Sequence, residues 1–327
     1  MRDVGVGDEL DQYRLTGLLA RGGMASVFEA RDLASGATVV LKIPYVQYES
    51  DVVFHERFRR EQEIGQRIQH PNIVRVLTPR EQSRMYLAME HVEGRPLGAL
   101  LREAGPLRAG AALAIATQIC DALACLHAHG VVHRDLKPEN VFVTTSGQVK
   151  ILDFGIALLE SARRLTWAGL SHAIGTPDYM APEQIRGRRG DARTDVYAVG
   201  TMLYEMLTGR LPYQGEGEAL LRAKGTSDAT PPSAHLPGLD PALERIVLTA
   251  VERDPRDRYQ NAVDLLEDLR HPAAALARGP VPRPARRAPP PRRLVASVVL
   301  VATLAGLGAL AWRTAPRPPP AAARSLK

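Results

Sequence analysis

Apolar and polar positions alternate through residues 13–45 around Gly and Ala breaks, a period-two pattern that predicts a strand–loop–strand hairpin followed by a third strand. From 52 to 69 the period lengthens. Phe54, Phe58, Ile64 and Ile68 fall at helical spacing, and His70-Pro71 closes the helix, because the residue before proline is pushed out of the α region. Two short strand-like runs follow at 73–77 and 85–91. After Glu93 the texture is helical. Leu113, Ala116, Ile119, Leu123 and Leu126 define a helix over 109–128, with Gly130 as a stop signal. Val196, Val199, Leu203 and Met206 define another near 194–208, and two more are expected near 240–253 and 260–270. A β-rich first third and an α-rich remainder make this an α+β protein of two lobes, about 13–92 and 93–271. No internal repeat is visible.

The end of the chain differs in kind. Residues 272–293 hold seven prolines and six arginines with little that could pack, which reads as a disordered linker. Residues 294–312 are then nineteen positions without a charge. At about 1.5 Å per residue such a helix is long enough to cross a bilayer. A buried core helix is the plain alternative, but nothing beyond it remains to bury it. Arg292-Arg293 and Trp312-Arg313 flank it as interface anchors would. A single transmembrane helix is therefore expected, followed by a short tail at 313–327.

Composition changes the picture once. The net charge of +6 in 327 residues would suit a nucleic-acid binder, but ten of the Arg and Lys lie in 272–327 with no acid, leaving the folded part mildly acidic. The basicity belongs to the tail, and no nucleic-acid partner is expected. Cys120 and Cys125 are five apart, hence on different helix faces, and read as small buried residues rather than a disulfide or metal pair. The first residues carry no apolar run, so no secretory signal is expected.

The chemistry concentrates in His133-Arg134-Asp135-Leu136-Lys137-Pro138-Glu139-Asn140, which puts a carboxylate, an ammonium and a carboxamide within six positions of one loop. Those groups suffice to hold a hydroxyl nucleophile, a migrating phosphoryl group and a metal ion together. Thirteen residues further comes Asp153-Phe154-Gly155, and far upstream Val40-Leu41-Lys42. These motifs resemble the protein kinases, and Lys137 points to the serine/threonine branch. Gly22-Gly23-Met24 and Asp-Phe-Gly-Ile-Ala at 153–157, with an Ala/Arg/Pro-rich tail, resemble the eukaryotic-like kinases of bacteria. The resemblance covers about residues 13–270 and implies a bilobal kinase fold, with ATP and Mg²⁺ as cofactors and protein Ser/Thr hydroxyls as acceptors.

Residue by residue, the resemblance makes Ala20, Arg21, Gly22, Gly23, Met24, Ala25, Ser26 and Val27 the loop over the ATP phosphates. Ala20 and Ala25 stand where the family has its first and third glycines, so altered nucleotide affinity or loop mobility is expected. Taken alone, this stretch would be an ordinary hairpin turn. Lys42 would grip the α and β phosphates, although a lysine closing an apolar strand is ordinarily only snorkelling. Glu61, nineteen residues on, would orient it. Met89 would guard the adenine pocket, with the backbone from Glu90 to Val92 meeting the base edge. An ordinary core strand explains the same residues. Asp135 would align the acceptor hydroxyl, Lys137 would neutralise the moving phosphoryl group, and Asn140 and Asp153 would hold metal. His133 would pack.

Glu183, closing Ala181-Pro182-Glu183, would pair with Arg258, Asp195 would anchor the catalytic loop from below, and Thr176 would touch Asp135 and Lys137. Arg134 suggests a phosphate on the activation segment, with Ser161, Thr166 and Ser171 as candidates. Exposed loop hydroxyls are the plain reading of each.

The function expected is a membrane-anchored, autophosphorylating serine/threonine protein kinase with its catalytic domain in the cytoplasm. Three alternatives stand beside it: a catalytically impaired kinase-fold scaffold, a small-molecule phosphotransferase, and a sensor with an outer ligand. Fifteen Pro/Ala-rich residues are too few to fold into a receptor. The small-residue pairs Ala302/Gly306 and Ala305/Ala309 would permit a homodimer through the membrane helix.

Overall fold

The computed structural model describes residues 3–152 and 177–277. The expected hairpin and third strand are present as β2 (Tyr13–Arg21), β3 (Ala25–Asp32) and β4 (Thr38–Pro44), preceded by a two-residue β1 (Glu9–Leu10). A short α1 (Val46–Glu49) leads to α2 (Val52–Arg67). The Asp51 carboxylate caps α2 by accepting from the Val53 and Phe54 amides. The helix ends three residues before His70, where Ile68 turns extended and buries its side chain. With β5 (Val76–Leu77) and β6 (Leu87–Glu90) the strands form one antiparallel sheet in the order β1-β2-β3-β4-β6-β5. Tyr13, Leu15, Phe28, Ala30, Val39, Leu41, Ile43 and Tyr86 fill its inner face, the alternate positions that the sequence marks as apolar.

The second lobe begins at β7 (Gly94–Pro96), which joins β8 (Val141–Thr144) and β9 (Val149–Ile151) in a small sheet. A side chain on Gly94 would lie 2.8 Å from the Val143 carbonyl oxygen, so glycine is required where the chain enters this sheet. Between these strands run α3 (Leu97–Ala104) and α4 (Ala109–Ala128). After the gap come α5 (Pro182–Ile185), α6 (Ala192–Thr208), α7 (Gly217–Thr226), α8 (Pro241–Ala250) and α9 (Ala262–Arg270). Helix α4 lies at the centre, packed on α6 and α9, with Ala116, Ile119, Leu123 and Leu126 fully buried. Alone among the described helices it is long and apolar enough to cross a membrane, and it is a core helix. Gly200 lets α6 approach α8 closely, since a Cβ there would sit 2.6 Å from that of Ala250.

The structure departs from the sequence reading at 272. Pro272–Ala277 form a further helix, α10, rather than the start of a linker. Proline is tolerated at a first helical position, alanine has the highest helix propensity, and Ala275 is buried against α8 while the Arg245 guanidinium binds its carbonyl. The expected linker at 278–293, membrane helix at 294–312 and tail at 313–327 lie outside the described residues. Cys120 is buried and Cys125 half-buried, both as free thiols.

Candidate active site

The loop from His133 to Asn140 links α4 to β8 and carries a non-glycine residue in the left-handed region, Arg134 at φ 64°. Such a conformation costs roughly 1 kcal/mol or more and persists only where neighbours impose it. Here they do. The Asp195 carboxylate, fully buried on α6, accepts from the Arg134 amide at 2.8 Å and from the His133 amide at 2.9 Å. His127 Nε2 of α4 lies 2.8 Å from the same carboxylate. From the other side Gln184 of α5 donates to the Arg134 carbonyl at 2.8 Å and accepts from the Ala181 amide at 2.9 Å. His133 is wholly buried with Nε2 3.3 Å from the Leu152 carbonyl, a packing role.

Held in this way, the loop brings its polar groups together. Lys137 Nζ donates to Asp135 Oδ2 at 2.8 Å, and Asn140 Nδ2 donates to the Asp135 carbonyl at 2.8 Å. Both Asp135 and Lys137 keep part of their side chains open to solvent, 32% and 23% respectively, so a substrate can reach them. Asp153 and the expected activation-segment residues Ser161, Thr166, Ser171 and Thr176 lie outside the described residues. Leu152, just before Asp153, donates from its amide to the Asn140 carbonyl at 2.8 Å.

Across the first lobe, Lys42 Nζ on β4 meets Glu61 Oε1 on α2 at 3.3 Å. Glu61 is the one carboxylate of α2 that is buried, whereas Glu56 and Glu63 are exposed, as expected of solvated neighbours. The β2–β3 turn is closed by the Gly22 amide on the Ala25 carbonyl at 2.9 Å. Ala20 and Arg21 pair with Val27 and Ser26 across the hairpin. Arg21, Gly22, Gly23 and Met24 are exposed at the tip, while Ala25 and Ser26 are buried. Sequence reasoning missed Tyr45, whose hydroxyl donates to the Gly22 carbonyl at 3.0 Å and whose amide donates to Met24 O at 3.0 Å.

Met89 is buried in β6 between Val40 and Val76. The Glu90 amide donates to the Arg75 carbonyl and its carboxylate binds Lys150 Nζ at 2.6 Å. His91 and Val92, both half-buried, lead from it to β7.

Beyond the gap, Pro177–Tyr179 form a single 3-10 turn, and Glu183 of α5 pairs with Arg258 through two bonds of 2.8 Å. Burial works against the Glu183 carboxylate, but the Arg258 bonds outweigh it and hold its pKa below the usual range. Burial likewise raises the Glu205 carboxyl of α6, which accepts from the Tyr179 hydroxyl at 2.5 Å. Tyr179 and Met180 share a cavity of about 20 Å³ with Asp135 and Lys137, which places this turn beside the catalytic loop.

The arrangement fits the groups that the fold implies. The Asn140 side-chain nitrogen is engaged by the Asp135 carbonyl, which leaves Oδ1 as a hard oxygen ligand of the kind Mg²⁺ takes in small number. A glycine-rich turn with exposed backbone and an ammonium fixed by a buried carboxylate suits a polyphosphate.

Comparison with known proteins agrees. The model of the protein kinase domain matches residues 13–269. A probable serine/threonine-protein kinase of Corynebacterium efficiens is 40% identical over 286 residues, covering 84% of this chain and 43% of that protein. The serine/threonine-protein kinase Pkn1 of Myxococcus xanthus is 42% identical over 264 residues, covering 78% of this chain and 37% of that one. A double-mutant PknI kinase domain of Mycobacterium tuberculosis superposes with a TM-score of 0.65 at 25% identity, covering 83% of this chain and 99% of that structure. The chain belongs to the protein kinase family, in its bacterial eukaryotic-like serine/threonine branch. It spans less than half the length of these curated relatives.

Proposed function

We propose that the chain is a serine/threonine protein kinase that moves the γ-phosphoryl group of ATP to a protein hydroxyl at a membrane surface. The observation that carries this reading is the loop in which Asp135, Lys137 and Asn140 converge, its strained backbone fixed by Asp195 and Gln184. Phosphoryl transfer asks mainly for positioning and charge neutralisation, and both are what these residues offer. Asp135 aligns the acceptor hydroxyl and takes its proton. Lys137 neutralises charge on the transferring group, and its bond to Asp135 keeps the two in register. Lys42, oriented by Glu61, holds the non-transferred phosphates under the loop from Ala20 to Val27, while Met89 and the hinge backbone seat the base. Mg²⁺ held by Asn140 and Asp153 supplies further charge neutralisation on the phosphates.

Residues 294–312 are the proposed single membrane span, with the kinase domain cytoplasmic and a dimer through Ala302/Gly306 and Ala305/Ala309 as the route for a signal. The six-to-four excess of Arg and Lys on the linker side agrees with that orientation. Arg134 supports autophosphorylation at Thr166 or Ser171. Its guanidinium is half-buried, its Nε has no partner among the described residues, and burial together with the nearby charge of Arg189 lowers its pKa. An arriving phosphate relieves both penalties.

The test is transfer of label from ATP by the full chain in detergent, beside Lys42→Met and Asp135→Asn, with Mg²⁺ and then with EDTA. The expected result is metal-dependent labelling of Ser and Thr that each substitution abolishes. Intact ATP binding without transfer would instead make the protein a scaffold.

A further inference from the structure

Lys224 of α7 is 1% exposed, and its ammonium donates to three carbonyls of one turn: Pro177 and Met180 at 2.9 and 2.8 Å, and Asp178. The match is stoichiometric, since an ammonium has three N–H groups and no other role here. A lone 3-10 turn does not pair its own carbonyls along a helix, and among the described residues only Pro177 O has a second partner, the Met180 amide. The other face of the site is aromatic. The Lys224 nitrogen stands 5.2 Å from the Tyr197 ring centroid, and the Arg258 guanidinium stands 4.8 Å from the same ring.

A leucine or methionine would fill this space without the cost of burying a charge. What an apolar side chain could not do is fix the shape of the turn. That turn matters because Tyr179 and Met180 wall the cavity that also contains Asp135 and Lys137. The cavity is only water-sized, about 20 Å³, so the turn packs directly against the Asp135 loop, and a polypeptide bringing its hydroxyl to Asp135 comes close to it.

We propose that Lys224 is a positioning residue for the protein substrate, locking the Pro177–Met180 turn in the shape that seats the residues flanking the acceptor hydroxyl. The inference rests on the kinase reading. The bonds of Lys224 go to the turn and to none of the residues assigned to the nucleotide, so its effect falls on the protein substrate.

The lock is sensitive to protons. Burial lowers the Lys224 pKa to about 7, against the attraction of the Asp178 carboxylate and with the repulsion of Arg258. The charged and titratable groups facing it are Asp178 on the turn, Arg258 with its partner Glu183, and Tyr197 on α6. Below that value the ammonium donates three bonds. Above it the amine donates two and turns a lone pair toward a carbonyl, so the turn loosens as pH rises.

The experiment uses the full chain in detergent, ATP and dephosphorylated casein, comparing wild type with Lys224→Met between pH 6.5 and 8.5. The expected result at pH 6.5 is a casein KM about tenfold higher in the variant, the scale of losing bonds to a charged donor, with ATP KM and saturating kcat within about twofold. The wild-type casein KM rises across the range and that of the variant is flat. An unchanged casein KM, or an equal rise in ATP KM, would overturn the inference. If Lys224→Met does not fold, the wild-type profile decides, and a casein KM independent of pH overturns it. A wild type that transfers phosphate neither to casein nor to itself would sink the kinase reading and this inference with it.

Discussion

Arg258 reaches Glu183 across 75 residues of sequence and grips its carboxylate with two hydrogen bonds of 2.8 Å. The pair is buried, stacked on Tyr197 and completed by the Thr194 hydroxyl at 2.9 Å from Glu183 Oε1. It ties the segment after the activation loop to the last third of the domain.

Glu183→Gln leaves the Arg258 charge buried without a counter-charge and is expected to cost about 3 kcal/mol of stability. The folded pKa of Glu183 is depressed, so its contribution is fully present above the unfolded value of about 4.3 and is lost as pH falls below it. Denaturant titrations should therefore show a wild-type to variant difference that is constant from pH 5 to 7 and shrinks in more acidic buffer. A difference that persists unchanged at pH 3 would contradict this account.

Asp195 touches no substrate, yet it holds the backbone of His133 and Arg134 where Asp135 needs it. Asp195→Ala is expected to lower kcat about 100-fold while ATP affinity, measured by calorimetry, stays near wild type, because a misplaced catalytic group costs on that order.

Glu61 acts through Lys42, so their losses should not add. Lys42→Met is expected to lower kcat/KM for ATP by at least about 100-fold, and Glu61→Gln by less. The double variant should be no worse than Lys42→Met. Additive losses would mean that Glu61 has an independent task.

Tyr45→Phe removes the hydroxyl that closes the phosphate-loop turn on the Gly22 carbonyl. The expected outcome is an ATP KM raised about threefold with kcat retained, in line with one modest hydrogen bond. Steady-state kinetics with ATP varied would show it.

The sequence was most legible where function sits in a contiguous run. Asp135, Lys137 and Asn140 could be named from one octapeptide, and the boundaries of Ala109–Ala128 matched its apolar spacing. Lys42 and Glu61 needed spacing plus a family resemblance. Gln184, Tyr45, Lys224 and the pairing of Glu90 with Lys150 were not legible, because each looks like an ordinary polar residue until distant segments are brought alongside it. Leu97–Ala104 and Gly217–Thr226 were missed for a local reason: neither has the side-chain N-cap that marks the start of Pro241–Ala250 and Ala262–Arg270, helices of similar length that the sequence did announce. Pro272–Ala277 was missed because its proline and alanines suggest a linker, and only the buried contact of Ala275 makes them a helix.

The central place of Ala109–Ala128 has a consequence for how the chain is made. This apolar helix leaves the ribosome well before its covering helices, the second of which begins only at Ala262. At bacterial synthesis speeds the delay is on the order of ten seconds. Throughout it, a segment hydrophobic enough to be taken for a membrane anchor stands bare. The nascent chain must therefore be shielded, by a chaperone or by transient contacts of its own, for as long as the second lobe is incomplete.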